Sequence, residues 1–355
     1  MVLLKNKVNK LFVYGTLMQG EKRAELLKEW KITDAFEIPG TLYDTGRGYP
    51  AADFSKTDNT VYGELYLYGG ENLEDELNFL DDVEGVSSSL YSRRILNRCG
   101  HNFYTYEMSS ELYRLKERFN VVREGNWRRT GSLSHSSISE FASNFESSQS
   151  ERYKKFPANS DAEFIYLKGE MPVLIVSAHA TSHMRKGSMK VHEKYTAAIN
   201  IILNALSGVH SLYTVYASEQ DSNYYKDTKL KNCIRDTVSK QDIRFVLDIH
   251  GTGSYRKFGI YPGIGKNKEF LDGQEFMYTS LRDILLNHGI TLGGTEVFPA
   301  YRQYTVSRFV YEQLGIPAMQ VEINKKYREP ETNSNLFEKL IYSLREYING
   351  INRSI

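Results

Sequence analysis

The chain has 355 residues, more than one typical domain needs, and its 41% hydrophobic and 25% charged residues fit buried cores and argue against global disorder. Forty-five Lys and Arg stand against 44 Asp and Glu, a net charge of +1, so there is no global basic field to attract nucleic acid. No apolar run approaches the roughly 20 residues of a membrane span. Residues 1–10 lack the apolar core of a secretory signal, and Cys99 and Cys233 are too few and too far apart for a disulfide scaffold. The expectation is a soluble cytoplasmic protein with no nucleic-acid or membrane partner.

From residue 11 to about residue 107 the chain is strand-rich, with strands expected at 11–13, 40–43, 61–67 and 103–108. The run Val61-Tyr62-Gly63-Glu64-Leu65-Tyr66-Leu67 alternates by two, as a half-buried strand does. Residues 22–30 and 72–82 read as helices. In the second, Leu73, Leu77 and Leu80 form one stripe and Gly85 closes the helix. Between 131 and 150, nine of twenty residues are Ser, which predicts a flexible, exposed linker. The expected division is a first domain at 1–128, a linker at 129–161 and a second domain at 162–355.

The second half reads as α/β. Val173-Leu174-Ile175-Val176-Ser177 is a continuous apolar run, the mark of a strand covered on both faces. Further strands are expected at 212–217 and 243–248, and helices at 195–206, 275–288 and 335–348, each with Gly just beyond its end. Alternating strands and helices imply a mainly parallel sheet flanked by helices, whose ligands gather at the carboxyl ends of the strands. That places His179, His250 and Glu322 around one crevice.

Two sets of motifs carry chemistry. A strand running into Tyr14-Gly15-Thr16-Leu17 leaves backbone amides pointing one way, a receptor for a carboxylate. Glu84 stands at a helix end, where burial would raise its pKa enough to move a proton near neutrality; the plainer reading is a solvated carboxylate beside Asp81 and Asp82. With Pro39-Gly40-Thr41-Leu42-Tyr43, Tyr49-Pro50-Ala51, Leu80-Asp81-Asp82-Val83-Glu84-Gly85 and Tyr91-Ser92-Arg93, this order resembles the gamma-glutamylcyclotransferase-like family over residues 10–127. The resemblance implies an α+β mixed β-barrel, no cofactor, and release of 5-oxoproline from gamma-glutamyl amines. Glu84 would be the acid/base, Tyr14, Gly15, Thr16 and Leu17 the grip on the glutamyl group, and Tyr91 a further motif position.

Five of the eight histidines fall between 179 and 250. His179, His183, His192 and His250, with Glu193 and Glu322, offer the His and carboxylate ligands of a catalytic zinc, plus a base. The stretches around them resemble the N-formylglutamate amidohydrolase-like family, kin of zinc carboxypeptidases, over residues 171–328. The resemblance implies zinc held by His179, His250 and Glu193, with His183 a rival third ligand because Ser182 stands where a Glu is expected three residues after His179. It further implies Glu322 as base, Asp248 as orienter of His250 or substrate holder, and Arg185, Arg302 or Arg308 as a clamp on a substrate carboxylate. The expected whole is a bifunctional enzyme on small glutamyl compounds, of undefined oligomeric state. The alternatives are a hydrolase with a non-catalytic gamma-glutamyl-binding module, and a non-catalytic interaction protein.

Overall fold

The computed structural model describes residues 8–55, 58–122, 124–129, 133, 138–158 and 162–355. The chain divides into two compact units, Met1–Ser137 and Ile138–Ile355. The first contains β1 (Lys10–Val13), β2 (Trp30–Pro39), β3 (Thr41–Asp44), β4 (Pro50–Asp53), β5 (Thr60–Tyr68), α1 (Leu73–Val83), β6 (Tyr91–Arg98), β7 (His101–Met108) and β8 (Asn120–Val121). Its main sheet has the order β2-β5-β1-β7-β6, with β1 antiparallel to β5 and parallel to β7. The central position of β1 buries Leu11 and Phe12 completely and delivers Tyr14 at the sheet's end.

The expected mixed barrel is corrected: among the described residues no closed barrel forms. Strands β4-β3-β8 make a separate three-stranded sheet, and the main sheet stays open at β2 and β6. Strand β6 carries Arg93, Arg94, Asn97 and Arg98, side chains that suit a solvated edge and oppose closure. The helix expected at 22–30 is also corrected. Only the single 3-10 turn Ala24–Leu26 forms, and Trp30 opens β2 instead, paired with Tyr68 and packed on its ring at 5.1 Å. A cross-strand aromatic pair outweighs a short helical stripe there.

The second unit begins with α2 (Ile138–Ser150), inside the stretch expected to be linker. Ile138, Phe141, Ala142 and Phe145 recur at helical spacing and are buried, so this apolar stripe overrides the serine content that suggested an open coil. There follow β9 (Phe164–Leu167), β10 (Met171–Ser177), β11 (His183–Arg185), β12 (Ser188–Lys190), α3 (Thr196–Ser207), β13 (Val209–Thr214), α4 (Lys229–Lys240), β14 (Phe245–Thr252), β15 (Ile260–Gly263), α5 (Phe276–Asn287), β16 (Ala318–Asn324) and α6 (Ser334–Asn352). The sheet order is β15-β16-β14-β10-β13-β9, with parallel pairing through β16, β14, β10 and β13 and antiparallel strands at both edges. Leu174, Val176, Leu212, Val246, Ile234 and Phe309 belong to one buried cluster that holds sheet and helices together. The parallel strands end together, which brings their carboxyl-terminal residues to one rim. Among the described residues, no helix is long and apolar enough to cross a membrane.

Two candidate active sites

In the first unit, Tyr14, Gly15, Thr16, Leu17, Glu84 and Tyr91 line one crevice, together with Arg23, Tyr49, Pro50 and Tyr106. Gly15 is required by a close approach: a Cβ there would stand 2.7 Å from Pro50 Cγ. The Tyr14 hydroxyl donates to the Tyr106 carbonyl at 2.6 Å, and Tyr91 donates to the Pro50 carbonyl at 2.5 Å. The first bond ties the turn after β1 to β7, and the second ties β6 to β4.

Glu84 caps α1, its N–H donating to the Leu80 carbonyl at 2.9 Å, and Gly85 turns the chain back with φ 66°. The Glu84 residue is only 8% exposed, which rules out the solvated helix-end carboxylate. Burial pushes its pKa up to about 7, against a lowering pull from Arg23. Arg23 and Tyr106 were not singled out from sequence, and Tyr49 and Pro50 entered only as part of a motif. Tyr106 reaches the crevice only because β7 pairs with β1, a long-range pairing that no local spacing announces.

In the second unit, His179 follows β10, His250 ends in β14, and Glu322 lies opposite His250 in the β14–β16 register. They line a cavity of about 430 Å³ with Glu193, His183, Arg185, Arg302, Asn223 and Gln320, a volume within the usual range for ligand pockets. Glu193 faces both imidazoles: its Oε1 is 3.2 Å from His179 Nδ1 and its Oε2 is 3.0 Å from His250 Nδ1. The far nitrogens are held from behind. His179 Nε2 is 2.9 Å from Asp221, while His250 Nε2 is 3.1 Å from Asp248 and bonds the Asn223 amide. Asp248 reaches His250 because residues two apart on a strand share a face.

Burial disfavours charge on His179, but the Glu193 and Asp221 carboxylates outweigh it and hold its pKa up at about 9. His250 is held up in the same way by Asp248 and Glu193. Burial raises Glu322.

These residues fit a divalent cation. One ligand atom each from His179, Glu193 and His250 lie within 4.8 Å of one another. Tetrahedral zinc with bonds of about 2.0–2.1 Å spaces its ligands roughly 3.3 Å apart, close to the Nδ1–carboxylate distances here. The carboxylates behind each ring are the partners that fix the tautomer of a metal-binding histidine.

His183, the rival ligand, is placed otherwise. Its ring stacks on His179 with centroids 3.7 Å apart, and its Nε2 lies 3.4 Å from Asp221. A set of His179, His183 and Asp221 is also within reach of one ion, but there the Asp221 carboxylate is already paired with the Arg185 guanidinium at 2.5 Å. His192 stacks on Tyr153 instead of entering the cavity. Arg308 does not line the cavity: its guanidinium bonds Glu312 at 2.7 Å and the Tyr301 carbonyl at 3.0 Å, an i,i+4 pair that keeps it on its own helix. Asp221 and Asn223 were missed from sequence, because they sit in a loop without periodicity.

Residues 11–129 match the family described as Gamma-glutamyl cyclotransferase, AIG2-like. Over 89 residues the chain is 35% identical to gamma-L-glutamyl-butirosin B gamma-glutamyl cyclotransferase of Niallia circulans, covering 25% of this chain and 53% of that protein. The chain thus spans about half the length of that curated relative. Among solved structures, N-formylglutamate amidohydrolase of Ralstonia eutropha is similar at 10% identity and TM-score 0.39, over 55% of this chain and 100% of that one. A bacteriophage poly-gamma-glutamate hydrolase is similar at 13% identity and TM-score 0.37, over 56% of this chain and 91% of that one. These two similarities cover the C-terminal part.

The AIG2-like unit should show its buried carboxyl in its pH stability. Folded Glu84 titrates near 7, above an unfolded glutamate near 4.3. The folded state therefore binds the proton more tightly, and its contribution to stability is full below about pH 4.3 and lost as pH rises through 7. Glu84→Gln cannot ionise. Its thermal midpoint should equal the wild type's below about pH 4 and exceed it at pH 8, by an amount equivalent to roughly 3–4 kcal/mol.

Proposed function

We propose that the chain is a bifunctional enzyme on glutamate derivatives, cyclising gamma-glutamyl amides in the first unit and hydrolysing an N-acyl-glutamate or peptide-like amide in the second. The observation that carries the first activity is a glutamate 8% exposed in the crevice that holds the Tyr14–Leu17 turn. In this reaction the substrate's own α-amine attacks its γ-carbonyl, closing the five-membered lactam and breaking the bond to the leaving amine. Glu84 takes the proton from the attacking amine and returns it to the leaving nitrogen, so no external nucleophile is needed. The turn's backbone amides and Tyr91 are assigned to the glutamyl group. The Niallia circulans relative is named for gamma-L-glutamyl-butirosin B; the gamma-glutamyl group alone is carried over here.

For the second activity, the supporting observation is the pair of imidazoles whose Nδ1 atoms face one carboxylate while their Nε2 atoms are held from behind. His179, Glu193 and His250 would hold zinc, which supplies Lewis-acid polarisation of an amide carbonyl and a lowered pKa for water. Glu322 is the base: it takes a proton from the water that adds to the amide carbonyl and passes it to the amine that departs as the C–N bond breaks. Arg185 and Arg302 stand on the cavity wall as partners for a substrate carboxylate.

The test is direct. Purified protein given gamma-glutamyl amines should form 5-oxoproline, and given N-formylglutamate or related amides should release the acyl group, with about one zinc per chain by elemental analysis. Glu322→Gln should lower hydrolysis by about 10²–10⁴-fold while zinc content stays at the wild-type level. Protein that binds zinc but hydrolyses equally well without Glu322 would remove that residue from the chemistry.

A further inference from the structure

Glu193 lies on a loop, and the supports on both sides of it include residues of the segment that reads as linker. Within the site, the Glu193 N–H donates to the His179 carbonyl at 2.8 Å, the Gly251 N–H donates to Glu193 Oε2 at 2.8 Å, Thr196 Oγ1 donates to the Glu193 carbonyl at 2.9 Å, and the Arg328 guanidinium donates to the Lys194 carbonyl. On the carboxyl side, Tyr195 adopts a left-handed backbone with φ 67°, unusual for an aromatic residue. The N–H of Tyr195 donates to Oε2 of Glu146 on α2 at 2.9 Å. The other oxygen of Glu146 accepts from the Tyr153 hydroxyl. On the amino side, the His192 ring stacks on Tyr153 with centroids 3.8 Å apart and planes 13° from parallel. The Tyr153 carbonyl accepts from Ser182 N–H at 2.8 Å, in the segment just after His179.

One carboxylate, 6% exposed, therefore grips the residue two after Glu193 and, through Tyr153, the residue just before it. We propose that Glu146 is a positioning residue for the metal centre, fixing the loop that presents Glu193, and that α2 is part of that centre's scaffold and not a tether between units. The inference rests on the zinc reading of His179, Glu193 and His250. Its chemistry is that of an outer-shell acceptor: Glu146 touches neither substrate nor ion, and acts through the backbone N–H of Tyr195.

The experiment measures the zinc dissociation constant of the full chain by competition with a chromogenic chelator, alongside thermal midpoints, for wild type, Glu146→Ala and Glu146→Gln. Glu146→Ala should bind zinc about 10–100-fold more weakly, the usual loss when an outer-shell partner is removed. Glu146→Gln keeps an oxygen for the Tyr195 N–H and should restore most of the affinity. A purely scaffolding role would lower the Ala midpoint and leave the zinc dissociation constant of the folded protein unchanged, and that result overturns the inference. If Glu146→Ala does not fold, Glu146→Asp carries the same test, since its shorter side chain draws the carboxylate away from the Tyr195 N–H; a wild-type zinc affinity there counts against the proposal. Wild-type protein that takes up no zinc overturns the metal reading itself, and the inference with it.

Discussion

Glu84→Gln should abolish 5-oxoproline formation, with a loss of about 10²–10⁴-fold or more in kcat/KM and a folded, thermally stable protein left behind. The substitution is nearly isosteric, and it removes a group whose ionisation is opposed by burial, so stability gives no reason for inactivity. What is lost is the ability to accept a proton from the attacking amine and give it up again to the leaving one. A pH profile sharpens the expectation. The ionised form must start the cycle, so kcat/KM in the wild type should rise through pH 7, following the carboxylate, and then level until another group titrates. Glu84→Asp should retain a little activity with the same rising limb, since it keeps the carboxyl one methylene short. A variant Glu84→Gln as active as wild type would turn the AIG2-like unit into a binding module and leave the second site as the sole enzyme.

The two sites differed in how much of them could be read before the fold was known. The first was legible because its chemistry is local: Tyr14–Leu17 is one turn, and Glu84 follows a Leu73, Leu77, Leu80 stripe that closes at Gly85. What stayed hidden were Tyr106 and Arg23, which reach the crevice from elsewhere in the chain. In the second unit, the continuous apolar runs of β10 and β14 located His179 and His250 at strand ends. Asp221 was invisible because a loop carboxylate carries no pattern until the histidine behind which it sits is placed. Composition misled at α2, where serine content concealed an apolar stripe that is buried. It misled again on closure, since strand-rich text does not say whether the edge strands meet. Local periodicity therefore found the elements that carry side chains of one face, and failed where long-range pairing or an irregular loop supplies the partner.

Chelation should split the two activities. Treatment with a strong chelator, followed by its removal, is expected to stop amide hydrolysis and leave 5-oxoproline formation at the wild-type rate, because Glu84 needs no ion and the two candidate centres share no residue. Added zinc should restore hydrolysis. His250→Ala should have the same effect without a chelator, for a reason visible in the geometry. The substitution deletes one of the two Nδ1 atoms facing Glu193 and strands Asp248, a fully buried carboxylate that lies 3.1 Å from His250 Nε2. An uncompensated buried carboxylate is costly, so the thermal midpoint should fall along with zinc content. His250→Gln leaves an amide near both carboxylates and should spare more of the stability than of the zinc. His183→Ala provides the contrast: its ring stacks on His179 without facing Glu193, so zinc content should be kept, with a modest loss of affinity from a less constrained His179. Should His183→Ala empty the site while His250→Ala keeps its metal, the ligand set is His179, His183 and Asp221, and the nitrogen of His179 that binds the ion is Nε2.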